Sequence, residues 1–159
     1  MCNPITTEHP ELLLSKGVHE GYEWEVVRNH MAYRCGYVRI PPGHPWHGKF
    51  YDDVPADVHG GLTFAEADTA CGKGGEDNAW WLGFDCAHAG DAPDPELPGC
   101  RLEREFPGDT IKDTAYAEAE CRSLAGQAIA ALAPEPPCAG DEQGVGEQGQ
   151  EQAGEHDGT

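Results

Sequence analysis

Residues 41–61, PPGHPWHGKFYDDVPADVHGG, contain four prolines and four glycines, and no other stretch limits the fold as strongly. Proline lacks a backbone N–H and fixes φ, while glycine weakens regular elements, so these twenty-one residues cannot form a helix or a central strand. Long loops inside a compact domain are usually functional or disordered. Disorder is disfavoured by five rings, those of His44, Trp46, His47, Phe50 and Tyr51. We therefore predict a long, ordered, irregular loop.

The segments around this loop have the composition of β-strands. Residues 22–29 (YEWEVVRN) alternate apolar and acidic side chains, and residues 32–40 are rich in aromatic and β-branched types. They predict an antiparallel pair that turns near Asn29 and His30. Residues 58–64 and 79–84 are predicted as two further strands of the same sheet, joined through the glycine-rich CGKGGEDN.

The apolar pattern changes to helical spacing after Thr110. Apolar residues recur at intervals of three and four at Ala117, Cys121, Leu124, Ala128 and Leu132. Thr110 and Asp113 resemble a capping box, and Pro134 closes the far end. The predicted fold class is α+β, in which a small, mainly antiparallel sheet packs against one long C-terminal helix in two layers.

A chain of 159 residues favours one domain. We predict an N-terminal arm (1–20), a single α+β domain (21–133) and a disordered acidic tail (134–159). The tail carries seven acids without Lys or Arg and has almost no large apolar residue, so it cannot offset the entropy of ordering.

Charge and hydropathy exclude several classes of partner. The net charge of −19 repels phosphates, so direct binding of nucleic acid is not expected. The longest apolar run of the N-terminal stretch, Leu12 to Leu14, is too short for a signal peptide, and no segment is long enough for a membrane span. We therefore expect a soluble cytoplasmic protein without membrane contact. The seven cysteines include no C-x-x-C pair, so reduced thiols are expected, with Cys35 and Cys121 as core residues.

Three ordered motifs, GYVRIPPGHPWHGK, VHGGLTF and WWLGFDCAHAGD, are followed by the helix AYAEAECRSLAGQ. Together, over roughly residues 20–132, they resemble small proteins of bacteriophages and prophages. The resemblance implies a phage or mobile-element setting and hence the host cytosol. It implies no activity and assigns no catalytic residue.

Histidines and aspartates in these motifs are candidates for a metal site. His44, His47, His59 and His88 offer imidazole ligands, and a divalent transition metal such as zinc is the cofactor they would suit. In an extended HPWH segment His44 and His47 would stand roughly 9 Å apart. A β-turn with Pro45 at its second position would bring their Cα atoms within about 7 Å. Both rings could instead pack on Trp46 and Tyr51 or hydrogen-bond the loop backbone.

The sequence places His59 on a strand, directly before two glycines. Glycine permits positive φ or the close approach of another group, so Gly60 indicates either a turn or a contact with a ligand or a neighbouring strand.

Residues 80–91, WWLGFDCAHAGD, predict a strand that ends in a polar turn. Alternation places Trp81 and Phe84 on opposite faces, with Leu82 beside Phe84, which is typical of a central strand. Asp85, His88 and Asp91 follow at three-residue intervals that one tight turn could gather.

These polar residues have functional and structural interpretations. Asp85 could orient His88 as a base or ligand, and His59, Asp85 and His88 are the candidate catalytic residues. The aspartates could instead cap turns. Cys86 would be a nucleophile only if its pKa were lowered, which its apolar neighbours disfavour.

Three functional hypotheses remain. The first is a small hydrolase, with or without a metal, in which His44, His47, His59, His88 and Asp85 share a pocket. The second is a module that binds a small polar ligand, with a pocket formed by Trp46, Tyr51, Gly60, Trp80 and Asp91. The third is an acidic, non-enzymatic inhibitor of a host defence protein. We favour an accessory protein that binds a polar small ligand or a metal in a His/Asp pocket, and leave hydrolysis and the oligomeric state open.

Overall fold

The computed structural model describes residues 3–68, 78–100 and 107–133. The elements are, in chain order, helix α1 (Pro4–Glu8), strands β1 (Leu13–His19), β2 (Tyr22–Arg28), β3 (Arg34–Ile40), β4 (Phe64–Ala67), β5 (Trp80–Asp85), β6 (Asp91–Ala92) and β7 (Thr110–Ile111), and helix α2 (Thr114–Ala130). Short 3₁₀ turns occupy Pro10–Leu12 and Tyr51–Asp53. The predicted disordered tail and most of CGKGGEDN lie outside the described residues.

The predicted fold class is confirmed. Strands β1 to β5 form one antiparallel sheet in the order β1-β2-β3-β5-β4, and α2 packs across β1, β2 and β3. Strands β6 and β7 form a small parallel pair beside it. In the described part of the chain no helix has the length and apolar character needed to cross a membrane.

The central strands follow the sequence pattern. β2 and β3 pair antiparallel, and the Oδ1 of Asn29 accepts the N–H groups of Met31 and Tyr33 in the turn between them. β5 lies between β3 and β4. Phe84 faces the core under α2, whereas Trp81 belongs to the apolar cluster on the other face, as alternation predicted.

The first strand lies in a part of the chain that the sequence assigned to the arm. Residues 13–19 form β1, the edge strand next to β2. Gly17 permits this pairing because a Cβ there would lie 2.5 Å from the ring of Trp24. The segment contains few large apolar residues, so its alternation is weak and its strand character comes from tertiary contact.

The strand predicted at residues 58–64 begins only at Phe64. Gly60 and Gly61 have φ values of +68° and +86°, which a β-strand cannot contain. The N–H of Gly61 donates to the carbonyl of Val58 at 2.9 Å and closes a tight turn. His59 therefore lies in a turn, and its predicted place on a strand is wrong.

The capping residue of α2 is Asp113, one turn later than predicted. Its carboxylate accepts the N–H of Tyr116 at 2.8 Å, while Thr110 pairs in β7. Leu132 is 54% exposed because it follows the last helical turn, and Pro134 lies outside the described residues. The buried face of α2 consists of Ala117, Cys121, Leu124, Ala125 and Ala128.

We expect Asp113→Ala to lower the free energy of unfolding by about 1 kcal/mol, because the first turn of α2 loses its side-chain acceptor. Urea denaturation measures the change. The matched control is Asp52→Ala, which removes an exposed loop acid and should change stability by less than about 0.5 kcal/mol. Equal losses in both variants would contradict the capping role.

Candidate functional site

Two turns meet near the N-terminus of α2. His59 lies in the turn before β4, His88 lies in the turn after β5, and Asp91 follows that turn as the first residue of β6. One ligand atom from each of these three side chains lies within 4.8 Å of the others. We call His59, His88 and Asp91 the His/Asp cluster.

The turn after β5 is held by Asp91. Its backbone N–H donates to the carbonyl of His88 at 3.0 Å, and its Oδ2 accepts the N–H of His88 at 2.9 Å. The three-residue spacing therefore gathers His88 and Asp91 as the sequence predicted.

His59 is fixed from three directions. Its Nε2 lies 2.7 Å from Oδ2 of Asp91, and its Nδ1 lies 3.0 Å from the hydroxyl of Tyr116. Its backbone N–H donates to Oε2 of Glu120 at 2.8 Å. Because an ionised carboxylate only accepts, the neutral form of this ring carries its proton on Nε2, toward Asp91, and accepts the hydroxyl proton of Tyr116 at Nδ1.

Gly60 lets the two imidazoles approach. A Cβ at this position would lie 2.1 Å from Cε1 of His88 and 2.4 Å from both ring nitrogens. The rings of His59 and His88 meet edge to face with centroids 5.5 Å apart. The positive φ of the predicted turn is therefore present, and the group that approaches Gly60 is the ring of His88 from the turn after β5, not a ligand or a neighbouring strand.

Asp91 is charged at neutral pH. Its side chain is 3% exposed, and burial alone would raise its pKa. Hydrogen bonds from His59 and from the His88 backbone outweigh this effect, with further help from the nearby charge of Lys112, and hold the pKa below its usual value. Lys112 Nζ lies 3.8 Å from Oδ1 of Asp91.

His88 has an unsatisfied nitrogen. Its Nδ1 is buried without a hydrogen-bond partner, 3.8 Å from both Oδ1 of Asp85 and Oδ2 of Asp91. That separation exceeds hydrogen-bond length. The predicted orienting bond from Asp85 to His88 is therefore not formed. Asp85 instead accepts the N–H of Ala87 and the hydroxyl of Thr63, which is the capping alternative.

The HPWH segment forms the β-turn, but its histidines point elsewhere. The N–H of His47 donates to the carbonyl of His44 at 2.9 Å. His44 Nε2 donates to the carbonyl of Ala128 and Nδ1 accepts the N–H of Trp46, so both ring nitrogens are occupied. His47 Nε2 lies 2.5 Å from the carbonyl of Asn78. The structure does not bring His44 and His47 into the His/Asp cluster.

The aromatic residues predicted to form a ligand pocket are instead engaged in packing and hydrogen bonds within the fold. Trp46 is buried in the core under α2, and the ring of Tyr51 lies 4.0 Å from that of Phe50. The indole N–H of Trp80 donates to the carbonyl of Lys49. Of the predicted pocket residues, Gly60 and Asp91 both lie next to His88.

Cys86 does not have the environment of a nucleophile. It is 1% exposed, and burial, followed by the charge of Asp91, raises its pKa to about 12. The thiol is therefore neutral and inert at physiological pH. Cys35 and Cys121 are buried as predicted.

Sequence reasoning missed the helix residues of the site. Tyr116 and Glu120, four residues apart, lie on one face of α2 and hold the turn that carries His59. The sequence signal for these two residues is their spacing: a tyrosine and a glutamate lie four residues apart, next to the buried positions Ala117 and Cys121.

Comparisons with known proteins found no matching family model, no matching curated protein and no matching solved structure. The resemblance to phage-type proteins and the inhibitor hypothesis therefore stay predictions.

Proposed function

We propose that the protein binds a divalent transition metal ion of the zinc type through His59, His88 and Asp91. Two imidazoles and one carboxylate form a donor set that zinc and similar ions accept. The proposal is supported by the proximity of the three donor atoms, which lie within 4.8 Å of one another.

The unsatisfied Nδ1 of His88 carries the proposal. If Nδ1 is unprotonated, its lone pair faces two carboxylate oxygens, each 3.8 Å away. If it is protonated, its buried N–H lacks an acceptor at bonding distance. In either protonation state, the unpaired buried nitrogen lowers the free energy of unfolding by about 1–3 kcal/mol. A cation between the imidazole and the carboxylates removes the cost in the unprotonated state.

The surrounding residues suit such a site. With an ion bound, Nε2 of His59 would give up the proton that it shares with Asp91, and Nδ1 would carry a proton and donate it to the hydroxyl of Tyr116, which fixes the ring with Nε2 toward Asp91. Asp91 already carries its negative charge, so it needs no deprotonation before it binds a cation.

We infer a hydrolytic use of the site from the number of ligands. If His59, His88 and Asp91 held a zinc-type ion, one coordination position would remain for water, and the ion would supply the acidity that activates that water. The ammonium of Lys112, which lies 3.8 Å from Oδ1 of Asp91, is the nearby cation that would stabilise negative charge on a substrate oxygen.

Zinc titration by calorimetry and elemental analysis test the proposal on untagged protein, because a polyhistidine tag binds the same ions. We expect one zinc per chain in the wild type and at least about 100-fold weaker binding in the His59→Ala, His88→Ala double variant. His30→Ala removes an exposed histidine outside the cluster and should bind as the wild type does. Equal zinc content in the double variant and the wild type would exclude the site.

A further inference from the structure

The hydroxyl of Tyr116 ends a chain of hydrogen bonds that passes through His59. Oδ2 of Asp91 lies 2.7 Å from Nε2 of His59, and Nδ1 of His59 lies 3.0 Å from the Tyr116 hydroxyl. Carboxylate, imidazole and hydroxyl thus follow one another in the order that serves nucleophilic catalysis. This order belongs to the metal-free protein, because an ion on Nε2 would displace the proton shared with Asp91.

His59 is held in the orientation that a general base needs. In its neutral form Nε2 donates to Asp91, so the lone pair of Nδ1 is directed at the Tyr116 hydroxyl. The backbone N–H of His59 donates to Oε2 of Glu120 at 2.8 Å, which ties the turn to the same helix that carries Tyr116. The distance of 3.0 Å between Nδ1 and the hydroxyl is short enough for direct proton transfer.

The Tyr116 hydroxyl is accessible and protonated. Tyr116 is 37% exposed, and its hydrogen bond to His59 lies at the protein surface, so a small substrate can approach without opening the fold. Partial burial, followed by the charge of Glu120, raises the pKa of Tyr116. The phenol is therefore neutral at physiological pH, and its proton must leave while the new bond forms, which is the task of a general base.

The charges around the hydroxyl favour a neutral substrate. Both Asp91 and Glu120 contact His59, and the whole chain has a net charge of −19, so a phosphate ester would be repelled. A carboxylic ester is uncharged and develops negative charge only on its carbonyl oxygen during attack. Nζ of Lys112 lies 5.3 Å from the Tyr116 ring centroid and can stabilise that charge.

We propose that Tyr116 is a nucleophile that accepts an acyl group from neutral, activated carboxylic esters in the metal-free protein. The hydroxyl oxygen bonds to the carbonyl carbon while its proton moves to Nδ1 of His59. The bond from that carbon to the leaving oxygen then breaks, and the leaving group takes the proton from Nδ1. The product is an ester of Tyr116, which water cleaves to release the carboxylic acid and restore the hydroxyl. This activity does not rest on the metal site proposed above.

Acetylation by p-nitrophenyl acetate tests the proposal on chelator-treated, untagged protein at neutral pH. Samples quenched with acid at successive times are digested, and peptide mass spectrometry gives the acetylation rate at each tyrosine. We expect Tyr116 to be acetylated at least about 100-fold faster than Tyr51, whose ring packs on Phe50. Because Tyr51 is an internal control, this comparison needs no variant.

Three variants identify the nucleophile and the base. Tyr116→Phe removes only the hydroxyl and should lower the initial rate of nitrophenolate release at least about 10-fold. His59→Gln keeps the backbone N–H that donates to Glu120 and should slow acetylation of Tyr116 at least about 100-fold. His30→Gln makes the same change at an exposed histidine outside the cluster and should leave that rate unchanged.

Four results would overturn the proposal. They are equal acetylation rates at Tyr116 and Tyr51, a wild-type rate of nitrophenolate release in Tyr116→Phe, and equal acetylation of Tyr116 in His59→Gln and His30→Gln. The fourth is phosphorylation of Tyr116 by p-nitrophenyl phosphate without acetylation by the acetate, which would contradict the assignment of a neutral acyl substrate.

Discussion

Arg34→Met is expected to lower the free energy of unfolding by about 3–5 kcal/mol, because it leaves a buried carboxylate without its cation. Arg34 and Asp94 have side-chain exposures of 8% and 10%, and Nη2 of Arg34 donates to Oδ2 of Asp94 at 2.6 Å. Nε and Nη1 donate to the Thr114 hydroxyl and the Lys112 carbonyl. The side chain thus joins β3 to the start of α2.

Chemical denaturation of Arg34→Met measures the loss, and two further variants identify its cause. Arg122→Met removes a side chain that is 42% exposed and should cost less than about 1 kcal/mol. Asp94→Asn added to Arg34→Met removes the unpaired charge and should recover part of the stability. Equal losses in Arg34→Met and Arg122→Met would contradict a buried, paired Arg34.

The same pair predicts a dependence on pH. Burial alone would raise the pKa of Asp94, but the hydrogen bond from Arg34 outweighs burial, so the folded pKa is below the unfolded value. The stability from the pair is therefore complete above about pH 4 and is lost as the pH falls through the folded pKa. The difference between wild type and Arg34→Met should shrink below about pH 4.

The sequence could predict the sheet only where side chains alternate strongly. Tyr22, Trp24 and Val26 face one side of β2, and the same rule placed Trp81 and Phe84 on opposite faces of β5. The sequence predicts an arm where β1 lies, because the contact of Gly17 with Trp24 is a tertiary feature that local alternation does not indicate. The contact of Arg34 with Asp94 joins residues 60 positions apart, and no local pattern indicates it.

The candidate site could be predicted where it depends on local spacing. The spacing of His88 and Asp91 was sufficient to predict one turn, and Gly60 indicated a close approach. The sequence predicts His44 as a metal ligand because a free imidazole is a good donor. In the fold the last carbonyls of a helix lack intrahelical partners, and His44 binds the carbonyl of Ala128 there. The imidazole that the sequence predicts as a metal ligand therefore hydrogen-bonds a carbonyl at the C-terminus of α2 instead.

Gly60→Ala should lower the free energy of unfolding by about 3 kcal/mol, of which about 1–2 kcal/mol comes from the left-handed backbone and about 1–3 kcal/mol from overpacking. The overpacking arises because the new Cβ would lie 2.1 Å from Cε1 of His88. Displacement of that ring should also weaken zinc binding by about 10–100-fold.

Gly61→Ala is the matched control, because Gly61 also has a positive φ, +86°, but a Cβ there has no atom within 4 Å. It should show the backbone cost of about 1–2 kcal/mol and retain zinc affinity. The difference between the two neighbours, measured by denaturation and by zinc titration, isolates the contact with His88. If both variants lose the same stability and the same zinc affinity, the close packing of His88 on Gly60 does not support the site. A loss of zinc affinity confined to Gly60→Ala would instead show that the His88 imidazole reaches its position only because residue 60 has no side chain.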